Sequence, residues 1–332
     1  MPLMSQQSLL DHQGEPQLGR FQSAVTQLSW RKLSPRWRRS AWWRLFHRKH
    51  WHYLALAHSD WFCALAIVDI GWANTAFAYV MDRRTGQLLA DYSRDGIPGY
   101  SAKLSEQLET GLHCQFQFFS ERIVLSHDAA SNQFLLNLDL PGFALQAQIQ
   151  RGDQPLSLLA VAEVAGGSAH ATQKSAGMPA QATLSVAGRH YQAEQVVASM
   201  DHSHGFLARD TSWRWASAHD LHLGFNLQAG YLAHHENALW LDQQLYPLAE
   251  AEFDYDKANP RRDWLIRTSD GLVDLKFVVE GMRAENKNLI VAQSHYVQPV
   301  GRFYGEIRPA TGLPAVQIDG LPGVTEDHFS RW

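Results

Sequence analysis

The sequence predicts an all-β, antiparallel protein organised as a closed or nearly closed barrel, single or duplicated. Three observations carry this expectation. Short apolar runs of strand length, divided by Gly, Pro, Asn and Asp, recur from Trp51 onward. There is no G-x-G-x-x-G, no P-loop and no alternation of strands with long helices, which disfavours dinucleotide and nucleotide folds. So many short strands avoid long exposed edges best when a sheet curls on itself.

In chain order, residues 9–30 carry Gly and Pro early and little periodicity, which predicts an irregular arm able to wrap the body. In residues 30–51, Trp30, Trp37, Trp42, Trp43, Phe46 and Trp51 are interleaved with Arg and Lys. That pattern admits a peripheral helix at a membrane surface, although aromatics packed inward beneath Arg and Lys stems account for it more simply. WHYLALA, WFCALAIVDIG and NTAFAYVMD read as strands, and DRRTGQ as the turn before LLADY. Residues 101–110, SAKLSEQLET, read as a short helix. LHCQFQFF, RIVLS, FLLNLDL and FALQAQIQ follow at meander spacing, with RGDQP (151–155) after the last. After LSLLAVAEV, the small and polar residues 166–182 read as a loop or linker. The expected organisation is a basic, Trp-rich arm over 1–50, a first β half over 51–165, the linker 166–182, and a second β half over 183–332 that carries the site.

With 332 residues, 45% hydrophobic and 19% charged, the chain is long enough for two cores. No run of about 18 apolar residues occurs, so no transmembrane segment is expected. The first residues lack a basic start followed by an apolar core, so a cytoplasmic location is expected. The net charge of -4 divides into +7 over residues 1–50, from nine Lys/Arg against two Asp/Glu, and -11 over the remainder. A basic arm facing an acidic body reads as intramolecular complementarity, and a pI near 6.5 argues against a nucleic-acid partner. Cys63 and Cys114 lie in apolar runs and read as buried thiols.

The densest chemistry lies in residues 199–218, SMDHSHGFLARDTSWRWASA. On an extended backbone His202 and His204 share one face while Asp201 and Ser203 share the other, and Trp213 and Trp215 face one way with Arg214 facing away. Asn226 and the pair Glu236 and Asn237 are polar residues embedded in strand-like runs. They read either as inward groups, with Arg209 as the cross-strand partner of Glu236, or as turn residues.

The succession LLDHQGEPQLG, KHWHYLAL, DHSHGFLARDTSWRWA, LGFNLQAG, HENALW, DWLIRTSDGLVDLKF and QPVGRFYGEI resembles an uncharacterised bacterial family catalogued as domain of unknown function 2804, over nearly the whole chain. Its most specific pieces are Asp201-x-Ser203-x-Gly205 with Arg209 and Trp213-x-Trp215, and the pair Glu236 and Asn237. More distantly, DHSHG followed by Arg and W-x-W is similar to the DHSWG…W-x-W pattern of proteins related to carotenoid 1,2-hydratase, with His204 in place of that pattern's Trp. The resemblance implies two lipocalin-like, calycin-type barrel halves.

The first chemical reading is a cofactor-free hydration, isomerisation or cyclisation of an apolar, lipid-like or isoprenoid-like molecule held inside a barrel. Asp201 with His202 or His204 supplies acid and base, with Arg209 among the catalytic candidates. Pairing Asp201 with a histidine requires a bend, for which Gly205 is placed. Trp213 or Trp215 stabilises developing positive charge through its ring face, and Asn226, Glu236 and Asn237 complete a ligand-binding set. A metal on His202 and His204, with His219, His222, His234 and His235 nearby, lacks a complete ligand set. Leu207, Ala208 and Arg209 stand where a further Glu ligand is needed, so no metal is expected. The alternatives are a non-catalytic carrier whose cavity is lined by aromatic residues, and a purely architectural cluster in which buried polar groups satisfy one another.

Overall fold

The computed structural model describes residues 3, 5–23, 25–152, 156–288 and 292–332. Residues 153–155, within the 151–155 segment, lie outside that set. The strands form two sheets, of fifteen and nine strands among the described residues, with one short helix, Ala41–His47. Neighbours pair antiparallel, apart from the short parallel pairing of Ser5–Gln6 with Gly19–Ser23. The first sheet curls into a nearly closed barrel and the second into a half-barrel.

Strict alternation drives the curling. Gln133–Leu140, Phe143–Gln150 and Met178–Val186 each bury every second residue, as a sheet with one dry face requires. Leu65, Ile67, Phe116, Leu136, Leu145 and Leu184 thereby fill the barrel, and Phe225, Trp264, Phe277 and Phe303 fill the half-barrel. The ligand expected inside a barrel therefore meets packed core in both, and the aromatic-walled cavity lies between the sheets instead.

The organising element is the 18-residue strand Arg189–Phe206. One edge pairs with Met178–Val186 and then with Ala169–Ser175, and the other pairs with Arg48–Ala57. The chain passes to the second sheet immediately afterwards, through Leu207–Arg209 into Asp210–His219. This corrects the linker expected at 166–182 and the half expected to begin at 183. Residues 166–182 hold Ala169–Ser175 and the start of Met178–Val186, and both of these strands, with Arg189–Phe206, belong to the first sheet. The composition was misleading because Ala169–Ser175 is buried on both faces, where small side chains permit close packing.

The helix expected at 101–110 is also absent. Ala102–Leu104 is a short strand, and the backbone beyond it bonds to the N-terminal arm, Leu28 N–H to the Glu106 carbonyl and Leu108 N–H to the Thr26 carbonyl. The arm is packed rather than loose: Leu28, Trp30, Leu33 and Trp37 bury against Leu159, Val161, Ala169 and Phe206. The Trp30 indole donates to the His204 carbonyl at 2.9 Å. Trp42 remains 72% exposed on the helix. Strand begins at Arg48, so residues 48–50 belong to the barrel. Among the described residues no helix is long and apolar enough to cross a membrane.

The outer face of Arg48–Ala57, Trp61–Asp69 and Asn74–Asp82 packs on the second sheet, with Tyr53, Ala64, Ala66 and Tyr79 against Trp215, Val300 and Val324. Polar pairs lock this contact. Arg83 grips Glu280 at 2.9 and 3.1 Å, Arg283 bonds Asp91 at 2.8 Å, and the Tyr79 hydroxyl donates to Gln298 at 2.5 Å.

Candidate functional site

The long strand stays extended through the DHSHG run, so its alternation survives intact. Asp201 and Ser203 face the second sheet; His202 and His204 face the first barrel, in register with His52 and His50. The bend that would bring Asp201 to a histidine does not form. Gly205 has a different role: a Cβ there would lie 2.5 Å from His170 Cα and 2.7 Å from the Ala169 carbonyl oxygen. The glycine allows Ala169–Ser175 to approach closely enough to put Lys174 opposite Asp201.

Lys174, Asp201 and Glu236 form a buried ion cluster across the two sheets. Lys174 Nζ lies 2.5 Å from Asp201 Oδ2 and 2.9 Å from Glu236 Oε2. Ser203 donates to Thr172 at 2.7 Å, and Thr172 donates to Asp201 Oδ1 at 3.0 Å. Burial disfavours the Lys174 ammonium, yet Asp201 and Glu236 outweigh it and hold the amine above its ordinary range. Burial pushes the Glu236 carboxyl upward, Lys174 opposes this, and the nearby Asp201 charge adds to the rise. Two carboxylates around one ammonium leave a net negative charge in a dry site, which favours a proton on Glu236.

Glu236 sits in the connection between Leu223–Gly230 and Ala238–Leu241, so the turn reading and the inward reading both hold. That connection is fixed from two sides. Arg20 donates to the carbonyls of His234, Asn237 and Leu248. Asn226 accepts from the Trp215 indole at 2.7 Å and donates to the Glu236 carbonyl at 2.9 Å. Asn237 accepts from Gln228 N–H and donates to the Ala249 carbonyl. Asn226 and Asn237 therefore shape the site from behind, satisfied by backbone and indole partners.

The cluster opens onto a cavity of about 90 Å³ between the sheets. Its apolar walls include Trp51, Tyr53, Phe77, Trp213, Trp215 and Tyr231. Trp51 and Trp213 lie parallel with ring centres 6.3 Å apart. The Trp213 indole donates to Glu326 at 2.7 Å, and the Lys174 ammonium lies 5.7 Å from the Trp215 ring centre. Three wall residues hold buried polar atoms without hydrogen-bond partners, the Tyr53 and Tyr296 hydroxyls and both ends of the Gln228 amide. Burial holds the Tyr296 hydroxyl well above its ordinary pKa, so it is a neutral donor.

The structure thus unites Asp201, Trp213, Trp215 and Glu236 around one cavity. It separates His202 and His204 from them, on the opposite face of the same strand. Arg209 is exposed in the connection between the sheets, and the cation at Glu236 is Lys174. Sequence reasoning missed Lys174, Gln228, Tyr296 and Glu326. Lys174 lay hidden in AHATQKS, where His170, Thr172 and Lys174 share the face that meets Asp201 and Ser203.

Fold and site together define an all-β protein in which a nearly closed barrel and a half-barrel enclose a charged, aromatic-walled pocket. The chain belongs to the family described as Domain of unknown function (DUF2804), matched over residues 2–332. Among curated proteins none matches the sequence. Solved structures of similar fold include an AttH-like protein from Nitrosomonas europaea, with TM-score 0.54 and 10% identity over 86% of this chain and 92% of that one. Kievitone hydratase from Nectria haematococca gives TM-score 0.54 and 10% identity, covering 87% and 90%. CghA in complex with Sch210972 gives TM-score 0.53 and 12% identity, covering 99% and 98%.

Proposed function

We propose that the chain is a lyase or isomerase that moves a proton on an apolar small molecule seated between the two sheets. The observation that carries this reading is the Lys174–Asp201–Glu236 cluster, buried at the base of an aromatic cavity whose wall also offers the unpartnered Tyr296 hydroxyl and Gln228 amide. Asp201 has the most accessible side chain of the three, 11% against 7% for Lys174 and 2% for Glu236, which makes it the group that meets the ligand. Asp201 accepts a proton from a carbon of the ligand, and Lys174 with Glu236 holds the cluster's charge balance as the proton arrives. Tyr296 and Gln228 bind an oxygen of the ligand, because buried polar groups gain most from a partner that water cannot supply. In the hydration direction, where protonation of a double bond leaves positive charge on carbon, the faces of Trp213 and Trp215 favour that charge by roughly 0.5–2 kcal/mol. Dehydration follows if hydroxide leaves the neighbouring carbon, departing as water with the proton the cluster has taken up. Hydration is the same path reversed, with water adding at that carbon while protonated Asp201 delivers its proton to the first. Isomerisation follows if the proton returns elsewhere. The hydratase among the proteins of similar fold supports this class of reaction. The cavity is smaller than the roughly 300–1,000 Å³ of a drug-sized site, so it receives the reacting end of a longer molecule.

Native mass spectrometry of protein purified from its own host, followed by solvent extraction, tests the reading. The expected result is one apolar, oxygen-bearing molecule per chain, retained about tenfold less well by Tyr296→Phe, the equivalent of one lost hydrogen bond. Protein that is empty in every preparation contradicts the proposal.

A further inference from the structure

The pocket leaves unused the most unusual feature of the barrel interior. Even-numbered residues of 48–57 and of 196–206 point inward, and Leu54, Leu56, Ala198 and Met200 are part of the apolar core. At one end of the same rows the apolar residues give way to His50, His52, His202 and His204, all buried. His202 lies between two other imidazoles: its Nε2 is 2.9 Å from His50 Nε2 and its Nδ1 is 3.0 Å from His52 Nδ1. Three neutral imidazoles carry three N–H groups. Two serve these contacts, and both ends of the chain, His50 Nδ1 and His52 Nε2, are buried without a partner. An architectural network would not leave two such ends, each costing about 1–3 kcal/mol.

Cys114 reaches the same point from the strand His113–Phe118. One ligand atom each of His52, His202 and Cys114 lies within 4.8 Å of the other two. We propose that His52, His202 and Cys114 bind a single thiophilic d10 cation, Zn²⁺ or Cu⁺, inside the first barrel. Two imidazole nitrogens on one tetrahedral centre at ~2.0–2.1 Å stand roughly 3.3 Å apart, so the 3.0 Å Nδ1 pair needs to open by only a few tenths of an ångström. A thiolate with two imidazoles selects these cations over Mg²⁺ or Ca²⁺, which prefer oxygen ligands. His50 bonds the outer nitrogen of His202 and fixes its ring orientation, the role that second partners play at metal-bound imidazoles. A cavity of about 30 Å³ lined by His52, His202, Gln173 and Glu109 adjoins the site. It has room for one water, which needs roughly 10–15 Å³, as a fourth ligand. This site lies on the opposite face of the strand from Asp201, so it stands or falls independently of the proposed reaction.

The test uses the full chain, freed of affinity tags and dialysed against a chelator. It is titrated with Zn²⁺, with Cu⁺ under anaerobic conditions, and with Co²⁺ as a spectroscopic probe. The expected result is about one equivalent bound, a thiolate-to-Co²⁺ charge-transfer band, and a higher unfolding midpoint in the metal-loaded protein. Cys114→Ser should abolish the band and weaken Zn²⁺ binding at least 100-fold. Cys63→Ala, which removes the other buried thiol of the same barrel, should leave both unchanged. If Cys114→Ser fails to fold, His52→Asn supplies the second variant, expected to lose affinity by a similar factor. Substoichiometric uptake of all three cations overturns the proposal, as does full binding by folded Cys114→Ser or His52→Asn, or loss of binding in Cys63→Ala.

Discussion

Lys174→Met is expected to lower stability by about 3–5 kcal/mol at pH 8, the cost of leaving buried carboxylates without their cation. Asp201 and Glu236 both lie against Lys174, and no other cation pairs with either among the described residues. Without the ammonium one carboxyl must take up a proton to remain buried, so the deficit should shrink as pH falls toward 6. Replacing all three charges at once, Lys174→Met with Asp201→Asn and Glu236→Gln, should recover much of the loss, because neutral groups of similar shape need no counter-charge. Urea midpoints of the two variants at both pH values check this. A Lys174→Met midpoint within about 1 kcal/mol of wild type at pH 8 would show that the cluster is not the electrostatic unit described.

Stability should also fall steeply in acid, before most carboxylates titrate. His170 and His219 are buried, and burial pushes their pKa values down to about 3 and about 4. In the unfolded chain both return to about 6.5. Below that value the unfolded state binds protons that the folded state refuses. The stability these groups confer is complete above pH 6.5 and is lost as pH falls toward their folded values, at about 1.4 kcal/mol per pH unit for each. Between pH 6.5 and 4.5 the pair removes about 4 kcal/mol. In the metal-free chain His52, His204, His50 and His202 shift in the same direction. Glu236, with its raised pKa, pulls the other way as a single group. Denaturation from pH 7.5 to 4.5 should show this slope, and His219→Leu should flatten it by about 1.4 kcal/mol per unit. A flat profile to pH 5 would mean that these imidazoles find protons or water in the folded state.

What could be read from the sequence and what could not divide along the range of the interaction. Alternation is local, so FLLNLDL and FALQAQIQ declared their strands, and DHSHG and W-x-W declared which residues share a face. The separation of Asp201 from His202 follows from that alternation alone; pairing them required a bend that the extended strand does not make. The glycine answers a non-local demand, the close passage of Ala169–Ser175, which no neighbouring residue announces. Lys174 was invisible for the same reason. Its strand, dry on both faces, lacks the one-sided pattern of an exposed strand, and its partners Asp201 and Glu236 meet it only through register and through a turn held by Arg20. The false helix at 101–110 failed because the N-terminal arm takes hydrogen bonds that an isolated segment would have made to itself.

If Asp201 moves a proton on the bound molecule, deuterium from the solvent must reach that molecule's carbon through it. The most direct measurement incubates the molecule recovered from the protein in D2O with wild type and with Asp201→Asn, and follows deuterium at its carbon positions by mass spectrometry. Incorporation, or addition of the elements of D2O, is expected with wild type, and a rate about 100-fold or more lower with Asp201→Asn, while the variant still binds the molecule. Equal incorporation by the two proteins, or none with wild type, would contradict it, and the second outcome would leave a carrier of the same ligand.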